Sequence, residues 1–162
     1  MPKGRTAIYP GSFDPVTFGH LDLIKRATRI FSKVTVAVAV NLQKKPLFTL
    51  EERIAMLKET TKSIRGIEIE AFDGLIIEYA RKRKINVLIR GLRMISDFEY
   101  ELQMALTNRR LAQDIETIFL MPSEGYSFLS STLLKEAAAL GADISSFVPK
   151  SVAKRVRERL HE

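Results

Sequence analysis

The stretch Thr6-Ala-Ile-Tyr-Pro-Gly-Ser-Phe-Asp-Pro-Val-Thr-Phe-Gly-His20 decides the fold. Its first four residues form a mostly apolar run that predicts a buried strand, and Gly11 permits an unusual backbone turn directly after it. The segment that follows carries an apolar stripe at helical spacing: Leu21, Ile24, Ala27 and Phe31. A strand, a glycine turn and an amphipathic helix in this order are typical of a parallel α/β sheet, because parallel strands need crossover connections.

Apolar runs and helical patterns alternate along the rest of the chain. The predicted strands are Thr6 to Tyr9, Val34 to Val40, Ile67 to Phe72, Val87 to Ile89 and Glu116 to Leu120. We expect Val34–Val40 to be the most central of them. Since crossovers are overwhelmingly right-handed, the pattern predicts the α/β class, with a single doubly wound, Rossmann-like, five-stranded parallel sheet and C-terminal helices. No linker or repeat divides the chain, so residues 1–162 are expected to form one domain.

Sequence signals mark several predicted helix ends. Thr49-x-x-Glu52 and Ser96-x-x-Glu99 fit the capping box, in which a hydroxyl and a carboxylate bind backbone N–H groups of the first turn. Gly141 suits the end of a helix over residues 133–140. Pro149 precedes a last helix, whose buried face is expected to carry Val152, Val156 and Leu160.

The composition excludes several kinds of site. The 162 residues include no cysteine, which removes disulfides, thiolate nucleophiles and cysteine-ligated zinc. His20 is the candidate for imidazole chemistry, because the other histidine, His161, stands one residue from the end. No apolar run is long enough to span a bilayer, and the run after Met1–Arg5 is too short for a signal peptide. We expect a soluble cytoplasmic protein with no membrane partner.

Lysine and arginine outnumber aspartate and glutamate by 26 to 19, and the net charge of +7 favours anionic partners. Nucleic acids and phosphorylated metabolites both qualify. The densest basic runs fall on segments with helical patterns: Arg81–Lys84, Arg109–Arg110, and Lys154-Arg155 with Arg157 and Arg159. No zinc finger, aromatic-rich strand motif or leucine zipper accompanies them, so we interpret them as solvated helix faces and expect no nucleic-acid partner. A basic nucleic-acid-binding module with a degenerate nucleotide fold is the alternative from another class.

Polar and basic clusters follow four of the predicted strands. They comprise Gly11, Ser12 and His20 after the first strand, Asn41 and Lys44 after the second, Arg90 and Arg93 after the fourth, and Ser127 with Ser130, Ser131 and Thr132 after the fifth. Since doubly wound sheets bind ligands at the carboxyl ends of their strands, we expect these clusters to meet at one edge. A glycine turn, a hydroxyl and a helix N-terminus together suit phosphate. Three cations exceed what one phosphate monoester needs, and a triphosphate plus a second anion fits them better.

Common nucleotide and hydrolase motifs are missing from the sequence. The chain has no G-x-x-x-x-G-K-[ST] loop and no G-x-G-x-x-G turn after a strand, which weakens kinase and dehydrogenase interpretations. It also lacks the G-x-S-x-G elbow of serine hydrolases. Two interpretations of His20 stay open: a structural imidazole that caps a helix or fills a polar pocket, and a catalytic one that donates to a phosphate.

The part of this stretch from Tyr9 to His20 resembles the opening signature of the nucleotidylyltransferases related to class I aminoacyl-tRNA synthetases. In those proteins a T/H-x-G-H element binds ATP phosphates, and Thr17-Phe-Gly-His20 matches it. Four later stretches extend the likeness: Lys44–Arg53, Val87–Arg93, Asp97–Met104 with Asn108-Arg109, and Ser127–Lys135. Taken in this order, the motifs resemble those of the bacterial phosphopantetheine adenylyltransferases over most of residues 6–136.

The resemblance implies that ATP and 4'-phosphopantetheine react to give dephospho-coenzyme A and pyrophosphate, with Mg²⁺ bound together with ATP and no residue assigned to the metal. An in-line displacement on the α-phosphorus needs donors that converge on the reacting phosphates, and we expect His20, Lys44 and Arg93 to be these catalytic groups. The residues that the resemblance assigns to ATP are Ser12, Phe13, His20, Gly91, Leu92, Arg93, Glu101, Tyr126, Ser127, Phe128, Leu129, Ser130, Ser131 and Thr132. Those that it assigns to the acceptor are Ser12, Lys44, Leu75, Ile76 and Arg90. A homohexamer with coenzyme A as a feedback ligand is also implied.

Four positions depart mildly from the family pattern, and at one of them Thr17, rather than histidine, opens the T-x-G-H element. Ser12 stands where many relatives have threonine, Tyr126 where some have tryptophan, and Ile76 where some have methionine. The nearest rival is another small nucleotidylyltransferase, such as a cytidylyltransferase or a nicotinamide mononucleotide adenylyltransferase, which would share the first motif. Such an enzyme would not account for Arg90-Gly-Leu-Arg93 followed by Asp97–Met104.

Overall fold

The computed structural model describes residues 4–42 and 44–161, except for the side chains of residues 95 and 96. The expectation that the chain begins without a signal peptide rests partly on residues 1–3, which lie outside the described residues. Within the described residues, five strands and six α-helices alternate: β1 Thr6–Gly11, α1 Phe18–Ile30, β2 Lys33–Ala39, α2 Leu50–Thr61, β3 Ile67–Phe72, α3 Ile76–Lys82, β4 Val87–Gly91, α4 Ile95–Leu111, β5 Glu116–Leu120, α5 Ser131–Ala139 and α6 Lys150–His161. A short 3₁₀ helix, Glu124–Tyr126, lies between β5 and α5.

The five strands form one parallel sheet in the order β3-β2-β1-β4-β5. The predicted α/β class and doubly wound, five-stranded sheet are confirmed, and each predicted strand is present. The expectation that Val34–Val40 is the most central strand is wrong, because β1 is central and β2 lies between β1 and β3. An apolar run on successive residues indicates a strand that is buried on both faces of the sheet. Because β1 and β2 are both buried on both faces, this pattern could not show which of the two is central.

Apolar cores lie on both faces of the sheet, because successive strand residues point to opposite sides. On one face, Tyr9 and Val36 belong to a core shared with α1, α2, α5 and α6. On the other face, Ile8 and Leu88 pack with α3 and with the residues that follow α4. The chain builds β2 and β3 on one side of β1 and then returns to add β4 and β5 on the other. The switch point between β1 and β4 is where sheets of this kind bind ligands.

The predicted helix ends agree with the structure except at one position. The Thr49 hydroxyl accepts the Glu52 N–H at 3.2 Å and the Glu52 carboxylate accepts the Thr49 N–H at 2.8 Å, so this capping box is confirmed. The second predicted box is wrong: Met94 is the N-cap of α4, and Ser96 lies inside the first turn. Gly141 follows α5 with a φ of +88°, the left-handed conformation that ends a helix.

The longest basic run carries acidic partners. Arg81 lies 2.8 Å from Asp114, and Arg83 lies 2.8 Å from Glu68. Because α3 ends at Lys82, the run does not lie wholly on a helix as expected. These ion pairs neutralise positive charge that the protein would need in order to bind a nucleic-acid backbone. In the described ranges, no helix combines the length and apolar character required to cross a membrane.

Candidate active site

An open cleft lies at the switch point, over the carboxyl ends of β1 and β4, with a volume of about 260 Å³. Many of the residues singled out from the sequence line it: Ser12, Phe13, His20, Arg90, Gly91, Arg93, Glu101, Leu129, Ser130, Ser131 and Thr132. They come from the turn after β1, from α1, from β4 and the segment after it, from α4 and from the start of α5. The structure therefore brings three of the four predicted clusters together.

The cluster after β2 does not line this cleft. Lys44 is exposed in the loop between β2 and α2. Leu75 and Ile76 lie at the start of α3, and Leu75 is also exposed. Both loops follow strands on the β2 side of the switch point. The predicted acceptor residues are thus divided between Ser12 and Arg90 inside the cleft and three residues outside its lining.

Some predicted ATP residues also lie outside the lining: Leu92, Tyr126, Ser127 and Phe128. The Tyr126 ring lies against Phe18 at the start of α1, with 6.0 Å between ring centroids. Phe128 is exposed, and its ring meets Phe147 edge-on at 5.8 Å. These contacts fix the segment between the 3₁₀ helix and α5 beside the first turn of α1.

The turn after β1 is built around the ring of Phe13. This residue has a φ of +49°, a left-handed conformation that a bulky side chain rarely adopts. Its ring is buried and packs against Tyr9 at 5.4 Å and His20 at 4.9 Å between ring centroids. The unusual backbone conformation expected at Gly11 occurs at Phe13 instead, because Gly11 is the last residue of β1 and its φ is not positive. A Cβ at Gly11 would lie only 3.0 Å from the same ring, so glycine suits this close approach. This packing holds an otherwise unfavourable turn at the edge of the cleft.

Asp14 connects this turn to two distant segments. Its buried carboxylate accepts the N–H groups of Leu47 and Phe48, each at 2.9 Å, and the Lys135 ammonium at 2.8 Å. The loop before α2 and the helix α5 are thereby held against the turn. Sequence reasoning missed Asp14 and Lys135. The available signal was an aspartate in the turn that follows a strand predicted to be buried, because a carboxylate held against a core needs partners.

His20 caps α1 with one ring nitrogen and leaves the other without a partner among the described residues. Its Nδ1 accepts the Thr17 N–H at 3.0 Å, and the Thr17 hydroxyl accepts the His20 N–H at 3.3 Å. Because Nδ1 accepts, the proton of the neutral ring lies on Nε2. Burial, followed by the charges of Arg93 and Arg90, lowers the pKa of His20 to about 3. The ring is therefore neutral at pH 7, and Nε2–H is available as a donor.

Arg90 and Glu101 form a partly buried ion pair in the lining of the cleft. Arg90 Nη2 lies 2.6 Å from Glu101 Oε1 and Nε lies 2.9 Å from Oε2, while Nη1 donates to the Pro10 carbonyl at 2.9 Å. Burial alone would lower the pKa of Arg90, but the Glu101 carboxylate outweighs it and raises that pKa. A phosphate that enters here approaches a positioned pair rather than an isolated cation.

Arg93 links the start of α4 to the segment before α5. Its Nε donates to Asp97 Oδ2 at 3.0 Å, and its Nη1 donates to the Leu129 carbonyl. The lining of the cleft also includes the first residues of α1 and α5. Helix N-termini carry unpaired N–H groups and a partial positive charge. Two of them beside two guanidinium groups can bind a polyphosphate.

Three kinds of comparison find similar proteins. Residues 8–137 match a family model described as cytidylyltransferase-like. The curated phosphopantetheine adenylyltransferase of Caldanaerobacter subterraneus subsp. tengcongensis is 56% identical over 155 residues, which cover 96% of this chain and 97% of that protein. The protein of the same name from Thermodesulfovibrio yellowstonii is 52% identical over 156 residues, with 96% of this chain and 97% of the other covered. A solved structure, Plasmodium falciparum nicotinic acid mononucleotide adenylyltransferase complexed with NaAD, has a TM-score of 0.67 over 97% of this chain and 94% of that one; at 14% identity it shows the fold alone.

Proposed function

Because this chain belongs to the phosphopantetheine adenylyltransferase family of nucleotidyltransferases, we propose that it transfers AMP from ATP to 4'-phosphopantetheine in coenzyme A biosynthesis. The products are dephospho-coenzyme A and pyrophosphate. The observation that carries the proposal is the cleft at the switch point, where a glycine turn, two helix N-termini and Arg90 with Arg93 converge. Such a cleft suits a reaction in which a triphosphate meets a phosphate monoester.

The reaction requires no general base, since the phosphate monoester of the acceptor is already an anion at neutral pH. One of its oxygens forms a bond to the α-phosphorus of ATP. The bond from that phosphorus to the oxygen bridging to the β-phosphorus breaks, and pyrophosphate leaves with the electron pair. The attacking and leaving oxygens lie roughly in line in such a displacement. Positioning and charge neutralisation then supply the catalysis, without a covalent enzyme intermediate.

We assign the contacts to the reacting phosphates to His20, Lys44 and Arg93. The neutral ring of His20 donates from Nε2 to an oxygen on which negative charge grows in the transition state. Arg93 neutralises charge on the departing pyrophosphate from its place in the lining. Lys44 acts from the loop between β2 and α2, whose later residues, 47 and 48, are bound to the turn by their N–H groups.

ATP takes the part of the cleft between the turn after β1 and the start of α5. We assign its phosphates to Ser12, Phe13 and the N-terminal residues of α5, where Ser131 and Thr132 line the cleft at a helix N-terminus. The remaining contacts belong to residues 91–93, to Glu101 and to the segment 126–132. The acceptor takes the β2 side, with Ser12, Lys44 and Arg90 at its phosphate. Leu75 and Ile76 offer apolar surface to the pantetheine arm.

Mg²⁺ enters the proposal as a partner of ATP. Among the described residues, no group of three or more carboxylate or imidazole side chains is arranged to hold a metal ion. The carboxylates in the lining, Asp97 and Glu101, are each paired with an arginine. Since protein-bound Mg²⁺ is commonly held through substrate phosphates, we propose that the oxygens of ATP carry it, where it would neutralise phosphate charge.

The assembly, regulation and location of the protein are proposals drawn from the family: a homohexamer, coenzyme A as a feedback ligand, and the cytoplasm. The assembly has support in α4, which exposes several large apolar side chains: Phe98, Tyr100, Leu102, Leu106 and Leu111. Exposed apolar surface of this kind commonly marks a contact with another protein chain. Neither nucleic acid nor a membrane is a partner in this proposal.

A matrix of donors and acceptors tests the proposed function. ATP or CTP is combined with 4'-phosphopantetheine or nicotinamide mononucleotide, and the products are identified by mass spectrometry. We expect dephospho-coenzyme A from ATP with 4'-phosphopantetheine as the dominant product. A dominant product from CTP or from the mononucleotide would assign the cleft to a related nucleotidylyltransferase instead.

A further inference from the structure

The bulkiest fully buried side chain in the described part of the protein is a cation, Arg53 of α2, which is 1% exposed. Its Nη1 donates to the Ser12 carbonyl at 2.8 Å and to the Ala39 carbonyl at 2.9 Å. Among the described residues its Nε has no hydrogen-bond partner and its guanidinium forms no ion pair. Burial lowers the pKa of Arg53, and the charges of Asp14 and Glu51 act against that shift. A buried charge without an ion pair costs the fold several kcal/mol. Its presence therefore calls for an explanation beyond packing.

The two carbonyls lie where the backbone ladder between β1 and β2 stops. The last pair in the register of these strands is Gly11 with Val38, so Ser12 and Ala39 are the next residues along each strand. The guanidinium of Arg53 donates to both carbonyls and so links the two strands one residue beyond the end of their backbone ladder. Arg53 is absent from the lining of the cleft, whereas Ser12 is part of it. Arg53 thus lies on the side of the turn that faces away from the cleft, which we call behind the turn.

The hydrogen bond to Arg53 sets the orientation of the peptide between Ser12 and Phe13. This peptide is trans, so its carbonyl and N–H point in opposite directions. Because the carbonyl points to Arg53 behind the turn, the Phe13 N–H points away from Arg53. This N–H has no backbone partner in the described ranges, and Phe13 lines the cleft. An unpaired N–H on the cleft side of a turn is a donor for an anion.

The conformation of Phe13 explains why the turn needs a strong anchor. Its φ of +49° is unfavourable for a phenylalanine, so the peptide would not keep this orientation unaided. The packed ring restrains one side of the turn and the guanidinium restrains the carbonyl on the other.

We propose that Arg53 is a positioning residue for phosphate binding, which holds the Ser12–Phe13 peptide so that the Phe13 N–H donates to a phosphate oxygen in the cleft. Its charge, shielded from water, adds positive potential behind the same donor. The proposal rests on the proposed function, since it takes this cleft to be the place where phosphates bind.

Binding of two probes that share no chemical group tests this role. Inorganic pyrophosphate reports the phosphate site and adenosine reports the base and sugar site, each titrated by calorimetry. Arg53→Met removes the charge and the donors at similar length. We expect it to weaken pyrophosphate binding about tenfold or more and to leave adenosine binding unchanged, because one charge-assisted hydrogen bond is lost. Arg53→Lys, which keeps the charge and an N–H donor, should restore part of the pyrophosphate affinity.

Two controls separate positioning from packing. Met56→Ala removes a fully buried side chain from the same helix, and we expect it to lower the melting temperature while pyrophosphate affinity stays within about twofold. In the wild type, the amide proton resonance of Phe13 should move downfield when pyrophosphate is added, which requires no variant to fold.

Pyrophosphate affinity of Arg53→Met within about twofold of the wild type would overturn the proposal, and so would a Phe13 amide resonance that does not respond. Turnover by the wild type is measured separately. A wild type that binds pyrophosphate through Phe13 and yet forms no dephospho-coenzyme A would contradict the proposed function and leave the role of Arg53 standing.

Discussion

At the scale of single residues, His20 has two roles: it caps α1, and in the proposed reaction it donates to a phosphate oxygen. Its Nδ1 accepts the Thr17 N–H in the cap of α1, and burial beside Arg93 and Arg90 keeps the ring neutral. Two substitutions test these roles together. Glutamine at the third position of a helix also completes a capping box through its Oε1, and its amide N–H can still donate, whereas alanine offers neither group.

We expect His20→Ala to lower kcat by about 10²–10³, because it removes a donor to the charge that develops in the transition state, and we expect His20→Gln, which keeps an amide N–H, to lose less. ATP affinity should change much less. His20→Gln should keep the melting temperature of the wild type, whereas His20→Ala loses the cap. The measurement is kcat at saturating substrates beside a thermal melt of each variant. Near-normal turnover by His20→Ala would restrict His20 to the cap.

The lowered pKa of His20 predicts an effect of pH on stability. The pKa of about 3 in the folded chain lies below the ordinary histidine pKa of 6.5, so between these two pH values the unfolded chain binds a proton that the folded chain does not. The wild type therefore loses stability as pH falls from about 6.5 towards 3, and the stability is present in full above that range. At pH 5 this loss amounts to about 2 kcal/mol, which His20→Gln should not show. Urea unfolding of both proteins at pH 5 and pH 7 checks the difference, and an equal pH effect on both would contradict it.

At the scale of elements, the position of the loop before α2 depends on Asp14. The carboxylate binds the loop through the N–H groups of Leu47 and Phe48 and binds α5 through Lys135. We expect Asp14→Asn to lower the free energy of unfolding by about 3 kcal/mol, because it breaks a buried ion pair and leaves the Lys135 ammonium unpaired. Chemical denaturation measures this value. Asp143→Asn changes an exposed carboxylate in the same way, and a similar loss there would contradict the assigned role of Asp14.

The sequence supplied the strands, the glycine turn and most of the cleft, because strand ends meet at a switch point whatever the loops do. Other features depended on contacts that no local pattern encodes. The position of the loop with Lys44 follows from hydrogen bonds to Asp14, more than thirty residues earlier in the chain, and a pattern of residue types cannot report such a contact. The neutral state of His20 and the pairing of Arg90 with Glu101 likewise arise only once the fold brings those charges together. The capping pattern at Ser96 failed because polar residues often match it by chance inside a first turn.

At the scale of the whole molecule, the apolar side chains exposed on α4 suit a contact with another protein chain. We expect sedimentation to give a mass of about 110 kDa, six copies of the 18.4 kDa chain, as the family suggests. Leu106→Asp places a charge on that face and should shift the protein to smaller species. Ile30→Asp changes an exposed apolar residue at the end of α1 and serves as the matched control. A wild type that sediments as a monomer would contradict the assembly.

Direct transfer of AMP between two bound substrates is the central claim, and rapid-quench measurement of pyrophosphate tests it most directly. The protein is mixed with ATP, first without and then with 4'-phosphopantetheine, and pyrophosphate and dephospho-coenzyme A are quantified in the same samples. The account predicts no pyrophosphate without the acceptor and one pyrophosphate for each dephospho-coenzyme A with it. A burst of pyrophosphate equal to the enzyme concentration in the absence of the acceptor would contradict it, because the bond between the α- and β-phosphates would then have broken without attack by the acceptor.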